Sequence, residues 1–214
     1  MEAASGKTYA EAASVLQGAS MDDAALETGR KERADSVRNR EALMAAAKAA
    51  FAERGAEAPL EDIARAAGLG IGTLYRHFPS REALLAAVYR REVEQLAAAA
   101  DRLLAEKPPA EAFEAWLHLM VDYMATKRVI APVLQASPGE GASAYAAAGP
   151  AIGGAMQRLV EAAMASGDIR GDLTPDDFLR LMTGLSVGYD RPDWAASARR
   201  LIGVLVAGLR AKPA

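Results

Sequence analysis

The stretch that decides the reading is LEDIARAAGLGIGTLYRHFPSREALL, Leu60 to Leu85. Two short helical patterns, residues 60–67 and 70–78, meet across Gly68 and Leu69. Pro79 stops the second, because proline has no backbone N–H with which to continue a helical ladder. Treated as a packing problem, Leu60, Ile63, Ala64, Ala67, Leu69, Leu74 and Phe78 point inward, which leaves Gly72, Thr73, Arg76 and His77 toward solvent. Ala64 is small where the second helix must cross closely. Gly68 falls where a sharp turn needs a positive φ, a region that glycine enters without strain. The arrangement is that of a helix-turn-helix.

The exposed side of the second helix carries small and hydrogen-bonding residues instead of the long acids of an ordinary solvated face. Such a helix fits the ~12 Å major groove of B-DNA, with Thr73 against a thymine methyl or base edge and Arg76 on guanine or phosphate. Gly72 lets backbone approach nucleic acid closely. Tyr75, His77 and Arg81 are expected to hold phosphates and so set register without reading sequence. For Tyr75 a half-buried core position is an equal reading. Ser80 opens a further helix, whose free N–H groups suit a phosphate oxygen.

Composition supports this division of labour. The 214-residue chain is 51% hydrophobic, enough to fill a core, and carries a net charge of −3. By region the charge is −4 over residues 1–29, +4 over 30–91 and −3 over 92–214. A positive block within an acidic chain is the footprint of a part that meets phosphate. Alanine abounds, aromatics are 6%, and period-two β-branched runs are almost absent, so the expected fold is all-α. With no cysteine, disulfides, thiolate metal sites and cysteine nucleophiles are excluded. No segment reaches the ~20 apolar residues of a membrane span, and the expected location is cytoplasmic.

Around this centre the chain divides into a mobile extension (1–34), a helix-turn-helix DNA-binding domain (35–82) and a helical ligand-binding and dimerisation domain (83–214). Ser36 is expected to cap a helix over 36–54 that ends at Gly55. Ser80 is expected to cap one over 81–106. A helix over 110–128 is followed by a shorter apolar piece over 129–134 and a loop, ASPGEGAS (136–143). Gly149-Pro150 and Gly153-Gly154 are expected to kink or delay the next helix. Thr174, followed by Pro175 and Asp177, marks a strong helix start, and a last helix covers 193–209.

The segments AAGLGIGTLYRHFPSREALL and NREALMAAAKAAFAERGAEAPLEDIA together resemble the N-terminal DNA-binding domain of the tetracycline-repressor (TetR) family, over Arg38 to Val88. The A-G-x-x-x-G-T-L-Y-x-H-F core comes with a preceding F-A-E-R-G and a following S-R-E-A-L-L. Gly70 and Ile71 depart from the Ser or Thr and Lys of many members, and Pro59 from their Thr or Ser, so those positions lose polar contacts. The resemblance implies a homodimer on a palindromic operator of double-stranded DNA, with Arg38, Gly72, Thr73, Tyr75, Arg76, His77 and Arg81 as the contact set. It also implies a divergent C-terminal domain in which a small-molecule effector loosens DNA, and dimerisation through the last two helices. Leu181, Gly184, Leu185 and Gly188, with Ile202, Leu205, Val206 and Leu209, form apolar rows there that read equally as interface or as core.

Large adaptable side chains concentrate on three of the later helices. Trp116, Met120, Tyr123, Met156 and Phe178 are the expected ligand-binding set, with plain core as the bland alternative. His118 lies between Glu114 and Asp122, an arrangement that suits an ion-pairing face better than a metal or proton relay. There is no phosphate loop and no G-x-S-x-G. Neither enzymatic activity, cofactor nor metal is expected. The competing readings are a small-molecule-binding helical protein without specific DNA binding and, further off, an all-α enzyme acting at His118.

Overall fold

The computed structural model describes residues 30–31, 33–136, 139–188 and 191–210. Among these the chain forms eight α-helices: α1 (33–54), α2 (Leu60–Ala66), α3 (Ile71–His77), α4 (Arg81–Glu106), α5 (Pro109–Ala136), α6 (Glu140–Ala165), α7 (Pro175–Leu185) and α8 (Trp194–Leu209). The expected extension over 1–34 falls almost wholly outside the described residues. Ser36 lies inside α1, which is already helical at residue 33, and so cannot be its N-cap.

The first three helices close around the residues that the periodicity pointed inward. Leu43, Ala47 and Phe51 of α1, Leu60, Ile63 and Ala64 of α2, and Leu74 and Phe78 are buried with Leu84, Leu85 and Val88 of α4. Gly68 makes the turn at φ +71°, and a Cβ there would meet nothing within 4 Å, so glycine is needed for conformation and not for space. Ser80 caps α4, its hydroxyl oxygen accepting from Ala83 N–H at 3.1 Å.

Two ion pairs fasten α1 to α4. Lys48 Nζ lies 2.6 Å from Glu92 Oε2, and Arg91 Nη2 2.5 Å from Glu41 Oε2. Glu92 is 8% exposed, so without Lys48 its carboxylate would stand desolvated and unpaired, an arrangement that costs several kcal/mol.

Helices α4, α5 and α6 pack against one another as the centre of the remaining part, with α7 on α6 and α8 on α5. Two expectations fail here. The pieces 110–128 and 129–134 are one continuous helix with Pro132 inside it, and α6 runs unbroken from Glu140 through Pro150, absorbing much of the expected 136–143 loop. In both helices apolar burial on either side of the proline, by Ile130 and Leu134 and by Ala148 and Ile152, outweighs the lost backbone bond. Thr174 begins α7 with a full capping box: its oxygen accepts from Asp177 N–H and its own N–H donates to Asp177.

Gly68→Ala is expected to lower stability by about 1–2 kcal/mol, since only the left-handed backbone is penalised. Thr174→Ala is expected to cost about 1 kcal/mol. Urea unfolding should show each as a lower midpoint at unchanged slope.

Candidate functional site

The residues of α3 that the sequence left outward are outward. Gly72 and Arg76 are exposed, Thr73 and His77 are half-buried, and Tyr75 is 48% exposed, which decides against a core position for its ring. Leu74 and Phe78 anchor the opposite face of this short helix. A Cβ on Gly72 would meet nothing within 4 Å, so no packing inside the chain demands glycine there. The guanidinium of Arg76 reaches Thr73 Oγ1 at 3.4 Å, and among the described residues no carboxylate pairs with it.

That freedom sets Arg76 apart from Arg38, Arg54 and Arg65 of the positive block. Arg54 and Arg65 both pair with Asp62, at 2.7 and 2.9 Å, and hold its carboxyl below the ordinary aspartate range, Arg54's hydrogen bond acting most strongly. Arg38 pairs with Asp35 on the exposed face of α1. Arg40 was missed by sequence reasoning; its guanidinium lies 5.1 Å from the Phe78 ring centre, beside the end of α3.

Arg81 corrects the expectation. Its Nη1 donates to the carbonyls of Ala56 and Ala58 at 2.9 and 2.6 Å, so it braces the α1–α2 loop instead of standing free for phosphate. The first turn of α4 also holds Glu82, whose carboxyl is lowered by its own backbone N–H and then by Ser80. An acid already occupies the positive end of that helix, which weakens the case for phosphate there.

In the C-terminal part, a cavity of about 370 Å³ lies among α4, α5, α6 and α7. Met120 and Tyr123 line it, as expected, joined by Tyr89, Lys127, Tyr145 and Met182. Trp116, Met156 and Phe178 do not line it and belong to packed core. The indole N–H of Trp116 donates to Leu96 carbonyl at 2.8 Å, Phe178 meets Phe113 edge-on with centres 5.1 Å apart, and Met156 is fully buried. These large residues share helical spacing with the true lining, and only the rotation of each helix in the assembly separates the two groups.

The hydroxyls of Tyr89 and Tyr123 are 2.7 Å apart. Burial pushes the pKa of both phenols above the ordinary tyrosine range, so both stay neutral. A larger cleft of about 470 Å³, among α1, α4 and α5, is polar and internally satisfied: Glu92 meets Lys48, and Asp122 pairs with Arg199 of α8. Asp122 therefore does not pair with His118, which is half-buried with Nδ1 lacking a hydrogen-bond partner among the described residues. The expected ion-pairing face around His118 is not formed.

On α8 the open reading of the apolar row resolves toward core for three of its four residues. Ile202, Val206 and Leu209 are buried within the chain, whereas Leu201 and Val204 are 48% and 70% exposed, with Gly208 exposed one turn further on. Val187, beyond α7, is 82% exposed. No helix among the described residues is long and apolar enough to cross a membrane.

Comparison with known proteins gives this geometry its context. Residues 43–88 match the family model of bacterial regulatory proteins of the tetR family, and residues 108–211 match that of the SbtR-like transcriptional regulator C-terminal domain. A TetR transcriptional regulator of Streptomyces coelicolor is 42% identical in sequence with a TM-score of 0.73, over 81% of this chain and 99% of that one. The TetR-like transcriptional regulator LfrR of Mycobacterium smegmatis, solved in complex with proflavine, is 25% identical with a TM-score of 0.54, over 82% and 99%. An HTH-type transcriptional regulator of Staphylococcus aureus is 34% identical over 80 residues, 36% of this chain and 41% of that protein, so the match spans less than half of that relative. With the outward α3 surface, the all-helical frame and a 42% identical homologue covered almost end to end, this chain belongs to the TetR family of DNA-binding transcriptional regulators.

Proposed function

We propose that this regulator is a cytoplasmic, homodimeric repressor that lays one α3 from each subunit into successive major grooves of a palindromic operator and releases it when a small molecule enters the α4–α7 cavity. The observation that carries the DNA half is the exposed pair Tyr75 and Arg76 on a helix whose other face is locked into the core. A guanidinium with no carboxylate partner is available to guanine or phosphate, and a phenol at this exposure can donate to a phosphate oxygen. Gly72 and Thr73 complete the groove-facing surface. Arg38 and His77 flank it and serve as further phosphate contacts.

Dimerisation through α7 and α8 is supported by Leu201, Val204 and Val187, large apolar side chains left in solvent on neighbouring elements. Gly208 one turn along α8 permits close approach of a second helix. A two-fold dimer then presents its two α3 helices at a spacing that must match about one turn of duplex, ~34 Å. An effector lowers operator affinity only by as much as it prefers the dimer whose spacing no longer matches. The solved LfrR complex with proflavine lends support to a small-molecule site in this family fold.

Arg76→Ala is expected to weaken binding to a palindrome from the protein's own upstream region by about 1–3 kcal/mol per subunit, and Tyr75→Phe by about 1 kcal/mol. Melting temperature should not change, and the slope of log affinity against log salt should become shallower by about one per lost phosphate contact. A gel-shift titration in which both variants bind like the parent would overturn the docking. Val204→Arg is expected to move the protein toward monomer in sedimentation equilibrium and to abolish specific binding at the same concentration; an unaltered dimer would place the interface elsewhere.

A further inference from the structure

Resting on the ligand-responsive reading above, we infer that the cavity is built for an organic anion, a carboxylate carried on an apolar body. Among the described residues that line it, Lys127 is the only charged one. A smaller annex of about 220 Å³ shares Met124, Lys127, Tyr145 and Thr183 with the main cavity and adds Arg128. Among the described residues no aspartate or glutamate lines either space. In a chain with 28 acids against 25 bases, a wall whose described residues include two cations and no acid is a local departure from the composition.

The setting of Lys127 sharpens the argument. It is half-buried, and its ammonium lies 5.5 Å from the centre of the Tyr145 ring. No carboxylate lies within ion-pair distance of it among the described residues. The ring face offers a cation roughly 0.5–2 kcal/mol and accepts none of the three N–H bonds an ammonium can donate. Lys48, half-buried elsewhere, has Glu92 at 2.6 Å. Lys127 is held without such a partner beside open volume, where the carboxylate of a ligand would complete its hydrogen bonding.

The rest of the cavity describes the body of that ligand. Met120, Ile152, Leu179 and Met182 give it an apolar and adaptable wall. At its buried side the two hydroxyls of Tyr89 and Tyr123 carry two hydrogens, and the single bond between them uses one. The second is free to donate to an oxygen on the ligand. At about 370 Å³ the volume suits a small ligand, near the lower end of the ~300–1,000 Å³ usual for such sites. An organic cation is disfavoured here by the ammonium of Lys127, which has no carboxylate within ion-pair distance among the described residues.

The test titrates the full-length protein by calorimetry with octanoate and 2-naphthoate, with their neutral counterparts octan-1-ol and 2-naphthalenemethanol, and with proflavine as a cationic probe. At least one acid is expected to bind about tenfold or more tightly than its alcohol. Lys127→Met should erase that preference while leaving the alcohol's affinity within about twofold; Lys127→Gln serves if the methionine variant does not fold. Acids that bind no better than alcohols, failure of both acids to bind, tighter binding of proflavine, or a preference that survives both variants would each overturn the assignment. Operator release is measured in the same samples to separate the two readings. Lys127-dependent acid binding with the operator retained sinks the ligand-responsive reading and leaves the anion site standing, whereas release by proflavine with no acid binding does the reverse.

Discussion

The structure depends on α4 being one unbroken helix. Its 26 residues span about 39 Å. Leu84, Leu85 and Val88 in its first turns close the core under α2 and α3, and Tyr89, on the next position, stands in the cavity wall. A helix buried on both sides cannot absorb a displacement by bending in the middle, so a movement at Tyr89 is a movement of the core beneath α3. The Lys48–Glu92 and Arg91–Glu41 pairs, with Arg81 on the carbonyls of Ala56 and Ala58, make α1 and its following loop travel with it. The three N-terminal helices and the start of α4 are thereby tied together as one packed unit.

How much of this could be read from the chain varies with the physics behind each feature. The α2–turn–α3 unit was legible because its determinants are local: an apolar period, a glycine at a position that demands positive φ, a proline as stop and a serine as cap. The all-helical class followed from composition in the same way. The cavity was half legible. Large side chains could be named, yet which of them face empty volume depends on how α4, α5, α6 and α7 are rotated against one another, and no single-helix pattern carries that. Trp116 and Phe178 went to the core, while Lys127 and Tyr145 went to the wall unannounced. The same blindness left α8 undecided between interface and core: Ile202 and Val206 went to the core, while Leu201 and Val204 stand in solvent, since an alanine- and glycine-rich helix looks apolar on most of its faces. Arg81 was misread because its partners are two carbonyls in an irregular loop.

Two clefts of similar size sit side by side, and their contents separate them. The larger one satisfies itself: each carboxylate in it has found a base. The smaller one retains an ammonium with no counter-ion among the described residues and a pair of hydroxyls whose mutual bond uses one of their two hydrogens. Volume alone favours the larger cleft, whereas the inventory of unmet electrostatic and hydrogen-bonding capacity favours the smaller one as the proposed ligand site.

The exposed prolines within α5 and α6 bear on how the walls of that space can flex. Pro132 cannot donate to the carbonyl of Arg128, nor Pro150 to that of Ala146, and Arg128 lines the annex while Ala146 lines the main cavity. Each of two facing walls therefore lacks one rung of its ladder alongside the hollow. Bending either helix there breaks fewer hydrogen bonds than bending it elsewhere along its length, so the two walls yield most easily beside the hollow.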